Sequence, residues 1–296
     1  MVAVVITGGL GNQMFQYASA KALAIRLKQP FFLDISSFEA DIPNVAKRTF
    51  ELDLFPNLKP AFLKSFKTSG FYQLTRWDNR LKKLLGIRIG SVLHENTHSF
   101  NESILTVKPP VLLKGYWQTE KYFQNIRDVI LKVFEFPRLS ETDINTALLE
   151  EIDKSEAVAV HVRRGDYIAY ESTHNFHGVC NIGYYENAIR FFIDNYPGCR
   201  FYFFSDEPEW VQSNLMQNGI NGKVISVNKG ANSWKDMLLM SKCKHNVIAN
   251  SSFSWWGAWL NQHSQKKVIA PSRWFKTSDP FYEPNDIVPE NWLKFN

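Results

Sequence analysis

Two adjacent arginines, Arg163 and Arg164, stand in the run His161-Val162-Arg163-Arg164-Gly165-Asp166-Tyr167, directly after a stretch of small and β-branched residues. Neighbouring side chains on an extended chain leave on opposite sides, so one guanidinium can face a cleft while the other pairs with a carboxylate such as Asp166. A guanidinium presents a planar fork of N–H donors to two phosphate oxygens, which suits a diphosphate leaving group. The plainer alternatives are a surface salt-bridge cluster for the arginines and a satisfied core position for His161.

Three other groups stand where a strand meets a helix. In Gly8-Gly9-Leu10-Gly11-Asn12-Gln13, Gly9 and Gly11 allow close backbone approach, and a helix N-terminus favours an anion. Asp34, ending the next strand, sits where a dinucleotide site places its ribose-binding acid, but Met14 occupies the position that needs a small residue for helix–strand packing. In Phe203-Phe204-Ser205-Asp206-Glu207, the carboxylates of Asp206 and Glu207 suit a ribose or a guanine edge, or else the acidic first turn of a helix opening at Pro208. Asn250-Ser251-Ser252-Phe253, followed by Trp255, Trp256 and Trp259, offers hydroxyl and backbone donors to a phosphate, or else a cap and a packed aromatic helix. There is no convincing D-x-D and no clustered set of His ligands, which disfavours a metal-held nucleotide sugar.

The elements that position these groups read as two α/β units. Val2–Ile6, a helix over 12–28 with Phe15, Ala18, Ala22 and Ile25 on one face, and a strand over 31–35 make a β-α-β unit. Residues 36–110 are irregular, and a helix is expected over 120–134. Beyond a polar junction around 138–154, strands at 157–162, 200–204, 223–227, 245–249 and 267–270 alternate with helices, the pattern of a parallel sheet. The expected fold is α/β with two Rossmann-like lobes facing across a cleft, one over 1–140 and one over 141–296. The end of the chain, its last 20 or so residues, is expected to return to the first lobe.

Composition narrows the classes. Hydrophobic residues make up 45% and charged residues 21%, an ordinary globular balance, and a net charge of +5 without basic runs argues against nucleic-acid binding. Aromatic residues reach 15%; most belong in a core, while some could stack on sugar faces. Three cysteines without a CxxC pair suggest a reducing compartment, and no signal peptide or membrane-length apolar run is present, so a cytoplasmic protein without integral membrane contact is expected.

Together, GGLGNQMFQYA at 8–18, HVRRGDY at 161–167, FFSDE at 203–207 and ANSSFSWWGAWL at 249–260 resemble the α-1,2-fucosyltransferases of glycosyltransferase family 11, in order and across nearly the whole chain. The segment at 176–180 also resembles bacterial members. The resemblance implies a GT-B fold, GDP-fucose as donor, a galactose-terminated oligosaccharide as acceptor, and no metal or other cofactor, with 1–140 as the acceptor-side lobe and 141–296 as the GDP-fucose-binding lobe. It implies that Arg163 or Arg164 meets the donor diphosphate, that Ser251 and Ser252 complete the phosphate cradle, and that Asn12 reaches the reaction centre. His161, Asp166, Glu171 and His177 remain open as the general base. The rivals are a fucosyltransferase of another linkage such as α-1,6, an NAD-dependent dehydrogenase or epimerase, and a sugar-binding module built on the Trp-rich helix.

Overall fold

The computed structural model describes residues 1–39, 48–63, 90–165, 178–217, 219–276 and 286–296. The chain divides into two compact units, Met1–Pro137 with Pro284–Ile287, and Arg138–Glu283 with Val288–Asn296. The end of the chain is therefore shared between the units.

The first unit is built on β1 (Val2–Val5), α1 (Leu10–Leu27), β2 (Phe31–Asp34), β3 (Ser91–His94) and β4 (Val111–Lys114). These strands form a parallel sheet in the order β2-β1-β4-β3, with Val2 of β1 opposite both Phe31 and Val111. Helix α1 is buried on nearly every side; Phe15, Ala18 and Ala22 lie in the core, whereas Ile25, expected on the same face, is 43% exposed in the last turn. Two strands, β3 and β4, border or lie within the stretch expected to be irregular. The single helix expected over 120–134 is replaced by two short 3-10 turns, Glu120–Tyr122 and Gln124–Ile126, before α2 (Arg127–Val133). Between the turns Phe123, wholly buried against the ring of Phe15, takes an extended φ of −136° that a continuous helix cannot hold.

The second unit contains α3 (Ile144–Asp153), β5 (Ala157–Val162), α4 (Ile182–Asn195), β6 (Arg200–Ser205), α5 (Pro208–Asn214), β7 (Gly222–Ile225), α6 (Trp234–Lys242), β8 (His245–Val247), α7 (Ser252–Leu260), β9 (Val268–Pro271) and β10 (Leu293–Phe295). Its parallel sheet runs β10-β9-β8-β5-β6-β7. All six residues of β5 are buried, and the two-residue period of a strand divides them between two cores. Val158, Val160 and Val162 pack with α4 residues such as Tyr185 and Phe192. Ala157 and Ala159 pack with Leu148 and Ile152 of α3 and Leu239 and Met240 of α6. Helix α3 begins inside the stretch expected as a polar junction, where the Asp143 side chain caps its first turn by accepting from the Asn145 backbone N–H at 2.9 Å.

Helix α7 places Trp255, Trp256 and Trp259 at 1% exposure or less. The rings of Trp255 and Trp256 meet edge-to-face at 5.1 Å, and Trp255 lies 5.5 Å from Trp292, just before β10. No face of this aromatic set is open to a sugar, which overturns the sugar-binding module built on it. Replacing Trp255 by Ala is expected to destabilise the protein by about 3–5 kcal/mol, through lost burial and the cavity left behind. Urea unfolding of the two proteins checks this, a shift under 1 kcal/mol counting against a core role.

Candidate active site

In the first unit the turn after β1 depends on Gly8, whose φ of +78° is a left-handed conformation that L-residues rarely adopt. Gly9 is the extended N-cap of α1, with φ −80°, and Gly11 is buried in its first turn. Gln13, with no exposure, donates from Nε2 to the carbonyls of Gly8 and Thr49, each at 2.8 Å, and accepts from the Glu51 N–H at 2.9 Å. Gln16, equally buried, accepts from the Thr7 N–H at 2.9 Å and donates to the Gly115 carbonyl at 3.1 Å. Both glutamines are struts that hold loops to α1. Asn12 differs: it is half-exposed, and its Oδ1 accepts from Nε2 of Gln118 at 2.8 Å.

The dinucleotide alternative fails on two residues. Met14 is fully buried in the core, so the turn does not make the close helix–strand approach that a small residue permits there. Asp34 is 4% exposed, and its Oδ1 accepts from the Ser36 N–H at 3.0 Å, which closes a local turn rather than facing a ribose.

Beside Gln118 the chain leaves β4 through Gly115, Tyr116 and Trp117. Trp117 has φ +56°, a strained value for a residue with a side chain, at a cost of order 1–3 kcal/mol. Glu95, immediately after β3, offsets that strain: Oε2 accepts from the Tyr116 N–H at 2.7 Å and Oε1 from the Trp117 N–H at 2.9 Å. A Cβ on Gly115 would lie 2.4 Å from the Cβ of Glu95, so this approach needs glycine. Burial pushes the Glu95 carboxyl up from 4.5 to about 7, against the lowering effect of the two backbone N–H groups.

In the second unit β5, β6 and β8 are neighbours, and their C-terminal ends carry the three remaining motifs. Arg163 Nη1 lies 3.2 Å from Asp206 Oδ2, and Arg164 Nε lies 3.1 Å from Glu207 Oε2. Asp206 also accepts from the Arg164 backbone N–H at 3.0 Å, so one carboxylate ties the two strand ends together. The Arg164 guanidinium lies 4.1 Å from the ring centroid of Trp210 on α5, a cation–π contact that fixes its plane. Asp206 and Glu207, expected at the nucleoside, are thus engaged with the arginines.

Beyond β8, Ser251 is the N-cap of α7, its Oγ accepting from the Phe253 N–H at 3.4 Å. The other early N–H groups of α7, including those of Ser252 and Ser254, have no acceptor within the helix, as at every helix start, and with the Ser252 hydroxyl they form a donor set suited to an anion. Asn250 is 3% exposed and donates to the carbonyls of Gly178 at 3.4 Å and Trp274 at 3.1 Å, so it braces the loop rather than presenting its amide. His161 is 5% exposed, with its ring 5.9 Å from that of Phe253. The other possible bases, Asp166, Glu171 and His177, lie outside the described residues. Among the described residues no three His, Cys, Asp or Glu side chains gather as a metal group, and no helix is long and apolar enough to cross a membrane.

Sequence reasoning named Gly8 only as part of the glycine run and passed over Glu95, Gln118 and Trp210. Gly8 was visible as a third glycine of the motif; the other three act through partners distant in the chain and carry no local signal.

The model of the family described as Glycosyl transferase family 11 matches residues 1–296. The chain is 35% identical to the O-antigen biosynthesis glycosyltransferase WbnK of Escherichia coli, over 97% of this chain and 98% of that one. It is 30% identical to an alpha-1,2-colitosyltransferase of Escherichia coli, over 99% and 98%. A galactoside alpha-(1,2)-fucosyltransferase 1 of Saimiri boliviensis boliviensis is 27% identical, over 86% of this chain and 63% of that protein. Among solved structures, the alpha-1,6-fucosyltransferase NodZ soaked with GDP-fucose aligns with a TM-score of 0.51 at 14% identity, over 92% and 94% of the two chains. At that identity the likeness concerns the fold alone, and the fold is of the GT-B type, with two parallel-sheet α/β lobes.

The raised Glu95 carboxyl has a thermodynamic consequence. Because its folded value lies above the unfolded one, its contribution to stability is fully present below 4.5 and is lost as pH rises through about 7. The melting temperature of the wild type relative to Glu95→Gln is expected to fall between pH 4.5 and 8, and a difference that stays flat over this range would contradict the burial of a titrating Glu95.

Proposed function

The chain belongs to glycosyl transferase family 11, and from that premise we infer that it transfers L-fucose from GDP-β-L-fucose to the 2-hydroxyl of a galactoside, with inversion, to give an α-1,2 linkage. The observation that carries this reading is the pair of carboxylate-held arginines, Arg163 and Arg164, on the strand end beside the serine-capped start of α7. A β-linked donor that yields an α product undergoes one in-line displacement, through a transition state in which the sugar is cation-like and the diphosphate is leaving. Arg163 or Arg164, the early N–H groups of α7 and the hydroxyls of Ser251 and Ser252 supply donors for the charge that develops on the diphosphate. Because these donors are positioned by ion pairs and a helix cap, little reorganisation is needed as the charge appears, and no metal is required in this mechanism.

In this proposal the second lobe holds GDP-fucose, and the first lobe meets a galactose-ended oligosaccharide with Asn12 at the reaction centre. A cytoplasmic location accords with three cysteines that are all buried free thiols. A second donor comes from the colitosyltransferase relative: colitose lacks the 3-hydroxyl of fucose, and a site that hydrogen-bonds that hydroxyl rejects the deoxy sugar strongly, whereas an apolar site does not.

The test is turnover of GDP-fucose and GDP-colitose with lactose in EDTA, comparing wild type with Arg163→Ala. Wild type is expected to release GDP from GDP-fucose and form a 2′-linked product by NMR, unaffected by EDTA, and the variant to lose on the order of 10²–10³ in kcat. A metal requirement would overturn the arginine-for-metal mechanism while leaving the transfer reaction in place. Linkage at another carbon, preference for GDP-colitose, or no turnover with any galactoside would each overturn the corresponding part of the assignment.

A further inference from the structure

The side chain of Asn12 stands at the start of α1 with one end already occupied. Gln118 Nε2 donates to Asn12 Oδ1 at 2.8 Å. Gln118 is 8% exposed whereas Asn12 is half-exposed, so the contact is approached from the protein interior. An amide has an oxygen with two lone pairs at one end and two N–H donors at the other; Gln118 holds the oxygen end and so orients the Nδ2 end, whose donors face the half-exposed side. Among the described residues no acceptor is paired with Nδ2. The nearest heavy atom to a Cβ built on Gly8 is this same Nδ2, at 2.9 Å, so the absence of a side chain at Gly8 leaves the space Nδ2 occupies.

The position of Gln118 is in turn set by the chain on either side of it. Glu95 clamps the N–H groups of Tyr116 and Trp117, Gln16 takes the Gly115 carbonyl, the Thr119 N–H closes onto the Trp117 carbonyl at 2.9 Å, and Ser19 Oγ reaches that same carbonyl at 3.4 Å. Trp117, left-handed and 1% exposed, is held in a conformation it would not keep alone. A strained turn held by five hydrogen bonds, with its one outward amide on the half-exposed residue of the motif, is arranged to orient that residue.

We propose that Gln118 is a positioning residue that fixes the amide of Asn12 as a hydrogen-bond donor, so that Asn12 offers N–H and not C=O to an oxygen of the reacting substrates. This rests on the glycosyl-transfer reading above and adds to it a direction: Asn12 steadies an oxygen that gains negative charge and takes no part as a proton acceptor. The contact also assigns a function to the Glu95 clamp, which acts on the site only through the backbone of the turn.

The test combines kinetics with a readout that needs no substrate. Gln118→Ala is expected to lower kcat about tenfold, the scale of one lost hydrogen bond, and to leave the KM for GDP-fucose within about twofold. Gln118→Glu replaces the donor facing Asn12 with an acceptor, turns the Asn12 amide over, and is expected to lower kcat at least as far at pH 8. If Gln118 acts through Asn12, the double variant Asn12→Ala/Gln118→Ala loses no more than Asn12→Ala alone. Losses that multiply in the double variant, or an unchanged kcat in Gln118→Ala, overturn the proposal.

Independently of turnover, the Asn12 side-chain amide, assigned in protein labelled with 15N-asparagine by its absence in Asn12→Ala, is expected to shift in Gln118→Ala while the other asparagine amides stay in place. An amide that does not move overturns the proposal even in an active enzyme. An amide that shifts in a protein without fucosyl transfer counts instead against the functional reading. A general collapse of asparagine signals in Gln118→Ala would assign Gln118 to the fold alone and also overturn the proposal; Gln118→Glu, close in volume, repeats the measurement without a cavity.

Discussion

A parallel sheet covered on both faces can carry polar chemistry only where its strands stop. All six residues of β5 are buried, and alternate ones serve opposite cores, so a charged side chain anywhere along it would lie in an apolar layer with no route to water. The first residues past its end are Arg163 and Arg164. Even there the side chain of Arg164 is only 18% exposed, and each arginine is held by a carboxylate from the end of β6. The carboxylates limit the cost of partly desolvating the arginines and hold two long, rotamer-rich side chains in one geometry. The same constraint accounts for the Asn250 and Ser251 segment, which comes two buried residues, Ile248 and Ala249, after β8 and turns at once into α7.

The first unit meets this constraint with neutral groups. Gln13, Gln16 and Gln118 each carry a donor and an acceptor on one side chain, so one residue can satisfy both kinds of backbone orphan in adjoining loops. Gln13 binds two carbonyls and one N–H; Gln16 binds one of each. Buried amides used in this way avoid the desolvation of charge and still fix loop positions tightly, because a half-satisfied buried amide costs about 1–3 kcal/mol. Glu95 is the exception, a carboxylate spent on two N–H groups of one turn, and its upward shift records what that burial costs.

Much of this was legible in the sequence. The alternation of strands and helices beyond residue 157 came from runs such as Ala157–Val162 and Phe201–Phe204, whose unbroken apolar character is that of strands covered on both faces. The four motifs at the strand ends were equally clear. What remained hidden shares a physical cause. β3 is a four-residue edge strand, part exposed, with no apolar alternation strong enough to see. The 120–134 segment has helical character throughout, but the burial of Phe123 breaks it. Glu95 and Gln118 act on partners 21 or more residues away, and 106 away in the case of Asn12, so only the fold brings their chemistry together. Among the glycines of that turn the need for a left-handed φ falls on Gly8, while Gly9 is the extended N-cap and Gly11 a buried helical residue.

The contact between Trp255 and Trp292 bears on the order in which the second unit can form. Helix α7 closes its aromatic cluster only when Trp292 arrives, and β10 joins the outer side of β9 immediately afterwards. During synthesis from the N-terminus, then, more than a hundred residues of the second unit emerge before the last pieces of its core exist. Until that moment, α7 has an uncovered indole surface beside an open sheet edge, the combination most prone to sticking. Trp292 and β10 are thus the closing pieces of this lobe's core, and the cover of both α7 and the β9 edge waits on the same short segment.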